Sequence, residues 1–100
     1  MTYMSIFVER HPSEASARAP YVTGAGREIF GSVDAYRWPH PLHKFANENG
    51  IAIDWVDNCW IRVCVNGSQL RSFLAYGNEL TAMAAEAKST DWYVINEEEF

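Results

Sequence analysis

The chain lacks a long apolar run and a leader-like N-terminus, and these absences exclude two classes of protein. None of its apolar runs approaches the ~18 residues that a membrane-spanning helix needs. The first ten residues, Met1–Arg10, are too short and too mixed in character for a secretory signal. We therefore expect a cytoplasmic protein that does not bind a membrane.

Cysteine is also scarce, which argues against a disulfide-stabilised fold. The two cysteines, Cys59 and Cys64, lie five positions apart in one predicted strand. That spacing places them on opposite faces of the sheet, with their Cα atoms roughly 16 Å apart. A disulfide needs Cα atoms within about 7 Å of each other. We expect two free thiols, as in a reducing compartment.

Recognisable catalytic, cofactor and metal motifs are missing. Gly24-Ala25-Gly26 lacks the further glycine or the Gly-Lys-Ser/Thr ending of a phosphate-binding loop. Asp54 and Asp57 are three apart, so a regular strand separates them across its faces. The spacing of the potential zinc ligands is not that of a structural zinc site; these are His40, His43, Cys59 and Cys64. We expect no enzymatic activity, no cofactor and no bound metal.

Basic residues are almost absent from the C-terminal part of the chain, which gives the charge an uneven distribution. Residues 1–77 carry seven acidic and seven basic side chains, whereas the last 23 residues carry six acids and only Lys88. The net charge of −5 therefore arises entirely in that C-terminal segment. This balance disfavours direct binding to nucleic acid and favours a basic protein partner.

The hydrophobic content of 48% and the aromatic content of 14% suffice for one folded domain over residues 1–100. In its N-terminal part, residues 1–36, Tyr3–Glu9 is predicted to be a strand, because aromatic and β-branched residues dominate it. His11–Pro20 is predicted to be a loop. Tyr21–Thr23 and Arg27–Phe30 are predicted to be short extended segments joined by the glycine-rich turn.

A short helix is predicted to begin at Pro41, where a missing N–H costs nothing. Leu42, Phe45 and Ala46 share one helical face, and Asn49-Gly50 provides a left-handed stop. Two turns of helix are expected.

A three-stranded meander is predicted to follow, with strands at Ile51–Trp55, Cys59–Val65 and Ser68–Tyr76. Asn66-Gly67 between the last two is typical of a type I′ hairpin turn. A helix over Ser68–Tyr76 is the alternative, since the apolar residues of this segment also fit a helical stripe; they are Leu70, Phe73 and Leu74.

A longer helix is predicted over Glu79–Lys88, with Asn78 as its N-cap. A final strand over Asp91–Asn96 and an acidic tail at residues 97–100 complete the chain. The prediction is thus an α+β domain with an antiparallel sheet of four to six strands. Its core, residues 41–96, has the order α-β-β-β-α-β after the N-terminal strands.

The predicted helix–three strands–helix order resembles that of double-stranded-RNA-binding domains. Arg62–Gly67 and Met83–Ala87 are similar in pattern to the hairpin and second helix of that family. The resemblance implies the fold of the family and contact with RNA. It does not extend to the basic cluster at the start of the second helix, because the corresponding residues here are Gly77, Asn78 and Thr81.

The four tryptophans and five tyrosines exceed what a domain of this size buries completely. Exposed aromatic residues beside acids are typical of protein interfaces. The expected function is therefore that of a small acidic inhibitor, such as a toxin immunity protein or a phage anti-defence (anti-CRISPR) protein, that blocks a basic surface of a nuclease or nucleic-acid-binding complex. The candidate contact residues are Glu79, Glu86, Asp91, Trp92, Tyr93, Glu97, Glu98 and Glu99.

Two alternatives remain open at this stage. The first is a nucleic-acid-binding or regulatory module that gathers its basic residues on one face; these are Arg18, Arg27, Arg37, Lys44, Arg62 and Arg71. The second is an oligomeric structural subunit, of which a homodimer is the simplest form.

Overall fold

The computed structural model describes residues 4–19, 28–36, 42–57, 59–75 and 86–99. These residues form five strands and three helices, in the order β1 (Met4–His11), α1 (Glu14–Arg18), β2 (Glu28–Tyr36), α2 (Leu42–Glu48), β3 (Ile53–Asp57), β4 (Trp60–Asn66), α3 (Gly67–Leu74) and β5 (Trp92–Glu99). All neighbouring strands are antiparallel, and the sheet order is β2-β1-β5-β4-β3. The predicted α+β class is confirmed.

The hydrophobic core lies on one face of the sheet, beneath α2 and α3. Alternate residues of the three central strands point into it: Ile6, Val8, Ile61, Val63, Val65, Tyr93 and Ile95. The two helices contribute Leu42, Phe45, Ala46, Leu70, Phe73 and Leu74. The rings of Phe45 and Phe73 meet at 5.2 Å between centroids, which joins the helices to each other. We call this side of the sheet the core face.

The N-terminal strands belong to the main sheet. β1 pairs with both β2 and β5, so the first strand of the chain is an interior strand. The prediction of a strand at Tyr3–Glu9 is confirmed. The loop predicted over His11–Pro20 is wrong in part, because Ser13 accepts a hydrogen bond from the backbone N–H of Ser16 and so caps the helix α1. The predicted turn at residues 24–26 lies outside the described residues.

The short helix after Pro41 is confirmed as α2, with the predicted residues Leu42, Phe45 and Ala46 buried. The chain then turns at Gly50, which has a φ of 66°. Glycine adopts this left-handed conformation without the steric cost that a Cβ brings, so the predicted helix stop is also confirmed.

The strand predicted at Ser68–Tyr76 is wrong, because α3 occupies Gly67–Leu74. Asn66 is the N-cap of this helix and not a turn residue: its side chain accepts a hydrogen bond from the backbone N–H of Gln69 at 2.8 Å. The Gln69 side chain in turn accepts one from the Asn66 backbone N–H at 3.0 Å, which completes a capping box. A helix therefore replaces the third strand of the predicted core order α-β-β-β-α-β, and the resemblance to double-stranded-RNA-binding domains fails at that strand.

Gly67 has a packing role at the start of α3. A Cβ added to it would overlap the carbonyl group of Lys88 and come within 2.8 Å of the Ser89 Cα. The Asn-Gly pair thus combines a helix cap with a close approach between two backbone segments, and neither is a hairpin turn.

The final strand is longer than predicted. β5 continues from Asn96 through Glu99, so Glu97–Glu99 belong to the sheet and do not form an acidic tail. They pair with Met4–Ile6 of β1, which holds this end of the chain in place. Most of the helix predicted at Glu79–Lys88, including its cap Asn78, lies outside the described residues.

In the described part of the chain, no helix has both the length and the apolar character needed to cross a bilayer.

Candidate binding surface

The sheet face opposite the core carries polar and aromatic side chains, and we call it the polar face. Its residues alternate with the core residues along β1, β4 and β5. Strand register aligns one row across it, from Phe7 through Asn96 and Arg62 to Asp54 at the edge of the sheet. Arg62 is only 4% exposed, so the centre of this face is a layer of buried polar side chains and is not open to solvent.

Glu9 is the centre of a buried hydrogen-bonded group on the polar face. The Asn96 side-chain amide donates to the Glu9 carboxylate at 2.8 Å, and the His11 Nε2 lies 3.7 Å from the other carboxylate oxygen. The His11 Nδ1 is hydrogen-bonded to the Ser16 hydroxyl at 2.9 Å. The last contact attaches α1 to β1, which is how so short a helix keeps its position over the sheet.

Helix α1 lies over one end of the polar face and brings Arg18 to it. The Arg18 guanidinium lies 5.5 Å from the centre of the Trp92 ring, and its Nε donates to the Glu14 carboxylate at 2.8 Å. That hydrogen bond raises the pKa of Arg18 above its usual value, so this side chain is fully cationic. The Arg18–Glu14 pair is itself exposed and therefore stabilises the fold little.

A groove of about 500 Å³ runs between the end of α1 and strand β3. Its walls are Arg18 and Ala19 on one side and Ile53–Val56 on the other, with Arg62 contributed by the neighbouring strand. The described walls thus combine two guanidinium groups, the Asp54 carboxylate and apolar side chains. This composition suits the binding of a mixed polar and apolar group.

Trp55 is the most conspicuous residue beside the groove. Its side chain is 68% exposed, and the next residue, Val56, is 37% exposed. Both belong to β3, which is an edge strand of the sheet. Soluble monomers usually protect the edges of their sheets, so these two exposed side chains are the candidate contact residues of this edge.

Cys64 lies on the polar face near the groove, and it is half-buried. Burial raises the pKa of its thiol, and the charge of Arg18 offsets part of that rise. A thiol of this kind is a poor nucleophile near neutral pH, because little of it is ionised. Cys59, in contrast, is exposed just before β4, and both cysteines are free.

The predicted contact residues do not form one patch. Glu86 and Glu98 are exposed and Asp91 is half-buried, but Asp91 and Glu98 stand at opposite ends of β5, roughly 23 Å apart at the rise of an extended strand. Glu79 and the side chain of Glu99 lie outside the described part of the structure. The described acids therefore do not present the concentrated negative surface that the sequence suggested.

Two of the predicted contact residues are inaccessible. Tyr93 is fully buried in the core, where its hydroxyl accepts a hydrogen bond from the Lys88 backbone N–H at 3.0 Å. Glu97 is 2% exposed and accepts a hydrogen bond from the backbone N–H of Leu42 at 3.2 Å. The strand alternation turns Tyr93 inward and Trp92 towards α1, so of this pair only the half-buried Trp92 keeps any accessible surface.

The basic residues of the nucleic-acid alternative are also divided. Arg18 and Arg62 both line the groove. Lys44 and Arg71 are exposed on α2 and α3, the helices that cover the core face, while Arg27 and Arg37 lie outside the described residues. The described cations therefore do not share one face.

Trp55 was missed as a candidate because its position in the sequence resembles that of a core residue. Ile51, Ile53 and Trp55 alternate as the inward side of a strand does, and nothing local shows that the strand stands at an edge. The preceding acidic residue, Asp54, was the available signal, since an exposed acid in a short strand is typical of a strand that is not buried on both sides.

Within the described ranges, no three histidine, cysteine, aspartate or glutamate side chains come together as a metal site requires. Comparisons of this chain with protein-family models, with curated proteins and with solved structures find no match.

Proposed function

We propose that this chain is a small non-enzymatic binding protein that occupies a basic surface of another protein and thereby inhibits it. The observation that carries the proposal is Trp55, an indole 68% exposed on an edge strand, where the preceding residue, Asp54, is also exposed. Tryptophan is enriched among the few interface residues that supply most of the binding energy, where its removal costs about 2 kcal/mol or more. We call Asp54, Trp55 and Val56 the edge site.

Charge adds the preference for a basic partner. The net charge of −5 attracts a basic surface at long range and raises the association rate. Asp54 then supplies a carboxylate on the opposite face of the same edge strand. The scattered exposed acids contribute to steering, and the affinity comes mainly from burial of the aromatic side chain.

A nuclease or nucleic-acid-binding complex is the partner class that best fits this chemistry, since such proteins expose the basic surfaces that phosphates normally occupy. An immunity protein or a phage anti-defence protein would act in this way in the cytoplasm. The two free cysteines are consistent with a reducing compartment.

The test is capture of partners from nuclease-treated host lysate by the tagged chain, compared between the natural sequence and Trp55→Ala. We expect one stoichiometric basic protein, released by Trp55→Ala and captured more slowly by the double variant Glu86→Lys/Glu98→Lys. Trp92→Ala is the matched control, because this indole is half-buried and belongs to β5 and not to the edge site. Equal capture by the natural chain and by Trp55→Ala would contradict the proposal.

Arg18 and Arg62, which both line the groove, favour one other candidate, a nucleic-acid-binding module. Filter binding with duplex and single-stranded RNA at low salt separates the two functions. Retention of RNA that is lost on Arg18→Ala, together with an empty eluate from nuclease-treated lysate, would support that alternative.

A further inference from the structure

Strand β3 stands at one edge of the sheet that the described strands form. Among the described strands it is hydrogen-bonded to β4 alone, so the N–H and C=O groups on its other side have no strand partner there. Its consecutive residues Asp54, Trp55 and Val56 all have exposed side chains. An edge with these properties is a template for an additional strand.

The pairing of β3 with β4 shows which residues lie opposite the side chains of β3. Ile53 pairs with Val63, Asp54 with Arg62 and Trp55 with Ile61. The strand that β3 already binds therefore reads apolar–basic–apolar. Arg62 lies opposite Asp54 on the polar face, while Val63 and Ile61 lie opposite Ile53 and Trp55 on the core face.

The same side chains also govern the outer side of β3. Cross-strand neighbours lie about 5 Å apart on either side of a strand, so Asp54 is as close to an added residue as it is to Arg62. A cation opposite Asp54 continues the alternation of charge across the row, and a carboxylate there repels it. An apolar residue opposite Trp55 covers the exposed indole.

We propose that the edge site binds an extended segment of the partner as a sixth strand, and that this segment has an apolar–basic–apolar pattern against Ile53, Asp54 and Trp55. This inference rests on the proposed function and specifies how its site is used. A segment that is both cationic and apolar complements the net negative charge of the chain and also covers the exposed Trp55.

The register of β3 sets the length of the added strand. Pairing with β4 is regular from Ile53 to Trp55 and is then interrupted, because Asp57 pairs with Trp60 and leaves Val56 as an extra residue. Such a bulge twists the strand and ends regular pairing. The added segment therefore pairs with only a few residues, and its isolated affinity is low.

The experiment is an NMR titration of the full chain with two short synthetic peptides, which differ only in a central Ile-Arg-Val or Ile-Glu-Val. We expect the arginine peptide to shift the backbone amide signals of Ile53, Asp54 and Trp55. It should bind roughly five- to tenfold more tightly than the glutamate peptide, the difference expected between opposite and like charges in a cross-strand pair.

Charge exchange supplies the decisive control. Asp54→Lys should reverse the preference, so that the glutamate peptide binds more tightly. Asp54→Asn keeps the shape of the side chain and avoids repulsion from Arg62, and it should abolish the discrimination between the peptides. Trp55→Ala should weaken both peptides together.

Three results would overturn the inference. The first is no shift at these amides with millimolar arginine peptide, and the second is equal affinity for the two peptides. The third is concentration-dependent shifts of the same amides without peptide, which would assign the edge to a second copy of this chain. If a partner is captured through Trp55 but neither peptide binds, the inference of strand addition is wrong while the proposed function still holds.

Discussion

Glu97 accepts a hydrogen bond from the backbone N–H of Leu42, which lies 55 residues earlier in the chain, at 3.2 Å. Leu42 is the first residue of α2, so its N–H has no partner within that helix. A carboxylate near a helix N-terminus also interacts favourably with the helix dipole. A residue that the sequence placed in a solvated acidic tail thus connects the last strand to a core helix.

We expect Glu97→Ala to lower the free energy of unfolding by about 1–3 kcal/mol, because it leaves a buried N–H without an acceptor. Glu97→Gln retains an acceptor oxygen and should lose less. The exposed neighbour Glu98 provides the control, since Glu98→Ala should leave stability unchanged. Urea unfolding of the three variants measures the differences. Similar midpoints for Glu97→Ala and Glu98→Ala would show that the contact contributes nothing.

Gly50 and Gly67 are expected to respond differently to the same substitutions. Gly50 has a φ of 66° and open space where a Cβ would stand, so alanine there costs about 1–2 kcal/mol through backbone strain alone. Asparagine tolerates this conformation and should recover much of the loss. At Gly67 the added Cβ overlaps the backbone of Lys88 and Ser89, so alanine and asparagine should both destabilise strongly.

Thermal unfolding of the four glycine variants tests this distinction. The informative quantity is the difference between alanine and asparagine at each position, because it separates conformational strain from steric overlap. A well-tolerated Gly67→Ala would mean that α3 does not approach the segment at residues 88–89 as closely as the structure shows.

Sequence reasoning succeeded where a local signal had a single structural meaning. Leu42, Phe45 and Ala46, followed by Asn49-Gly50, define a short helix and its end, and α2 has that form. It failed where one signal had two meanings. Asn66-Gly67 serves either as a hairpin turn or as a helix cap, and the choice depends on the backbone of Lys88 and Ser89 against which Gly67 packs.

The candidate site was harder to predict than the fold, because exposure is a property of the sheet order. Trp55 is exposed since β3 stands at the edge, whereas Tyr93 is buried since β5 lies between β1 and β4. Sequence spacing gives the alternation of faces along each strand. It does not tell which strand lies at the edge.

The burial of Cys64 predicts that the stability of the fold decreases at alkaline pH. Burial raises the pKa of its thiol in the folded protein, so the unfolded chain ionises first as the pH rises. The stabilisation is fully present below the pKa of the thiol in the unfolded chain, and it is lost as the pH rises through the raised pKa of the folded state. The loss of stability caused by Cys64→Ala should therefore be greater at neutral pH than at alkaline pH.

Denaturant unfolding under reducing conditions at several pH values measures this effect. Cys59→Ala is the control for removal of a thiol, because Cys59 is the exposed cysteine of the pair. If the difference between the natural chain and Cys64→Ala is independent of pH, the Cys64 thiol is solvated.

Alanine substitutions of Trp55 and Trp60 should separate the effect on partner binding from the effect on stability. Trp55 is 68% exposed, so Trp55→Ala is expected to leave the unfolding midpoint unchanged. Trp60 is half-buried, and its ring packs against Phe7 at 6.1 Å between centroids. Trp60→Ala should therefore destabilise the fold, by roughly 1–3 kcal/mol for the apolar area and the aromatic contact that are lost. Acrylamide quenching provides an independent measurement, since removal of Trp55 should remove a readily quenched part of the fluorescence. A Trp55→Ala variant that unfolds as easily as Trp60→Ala would show that this indole is part of the core, and the edge site would then lose its anchor.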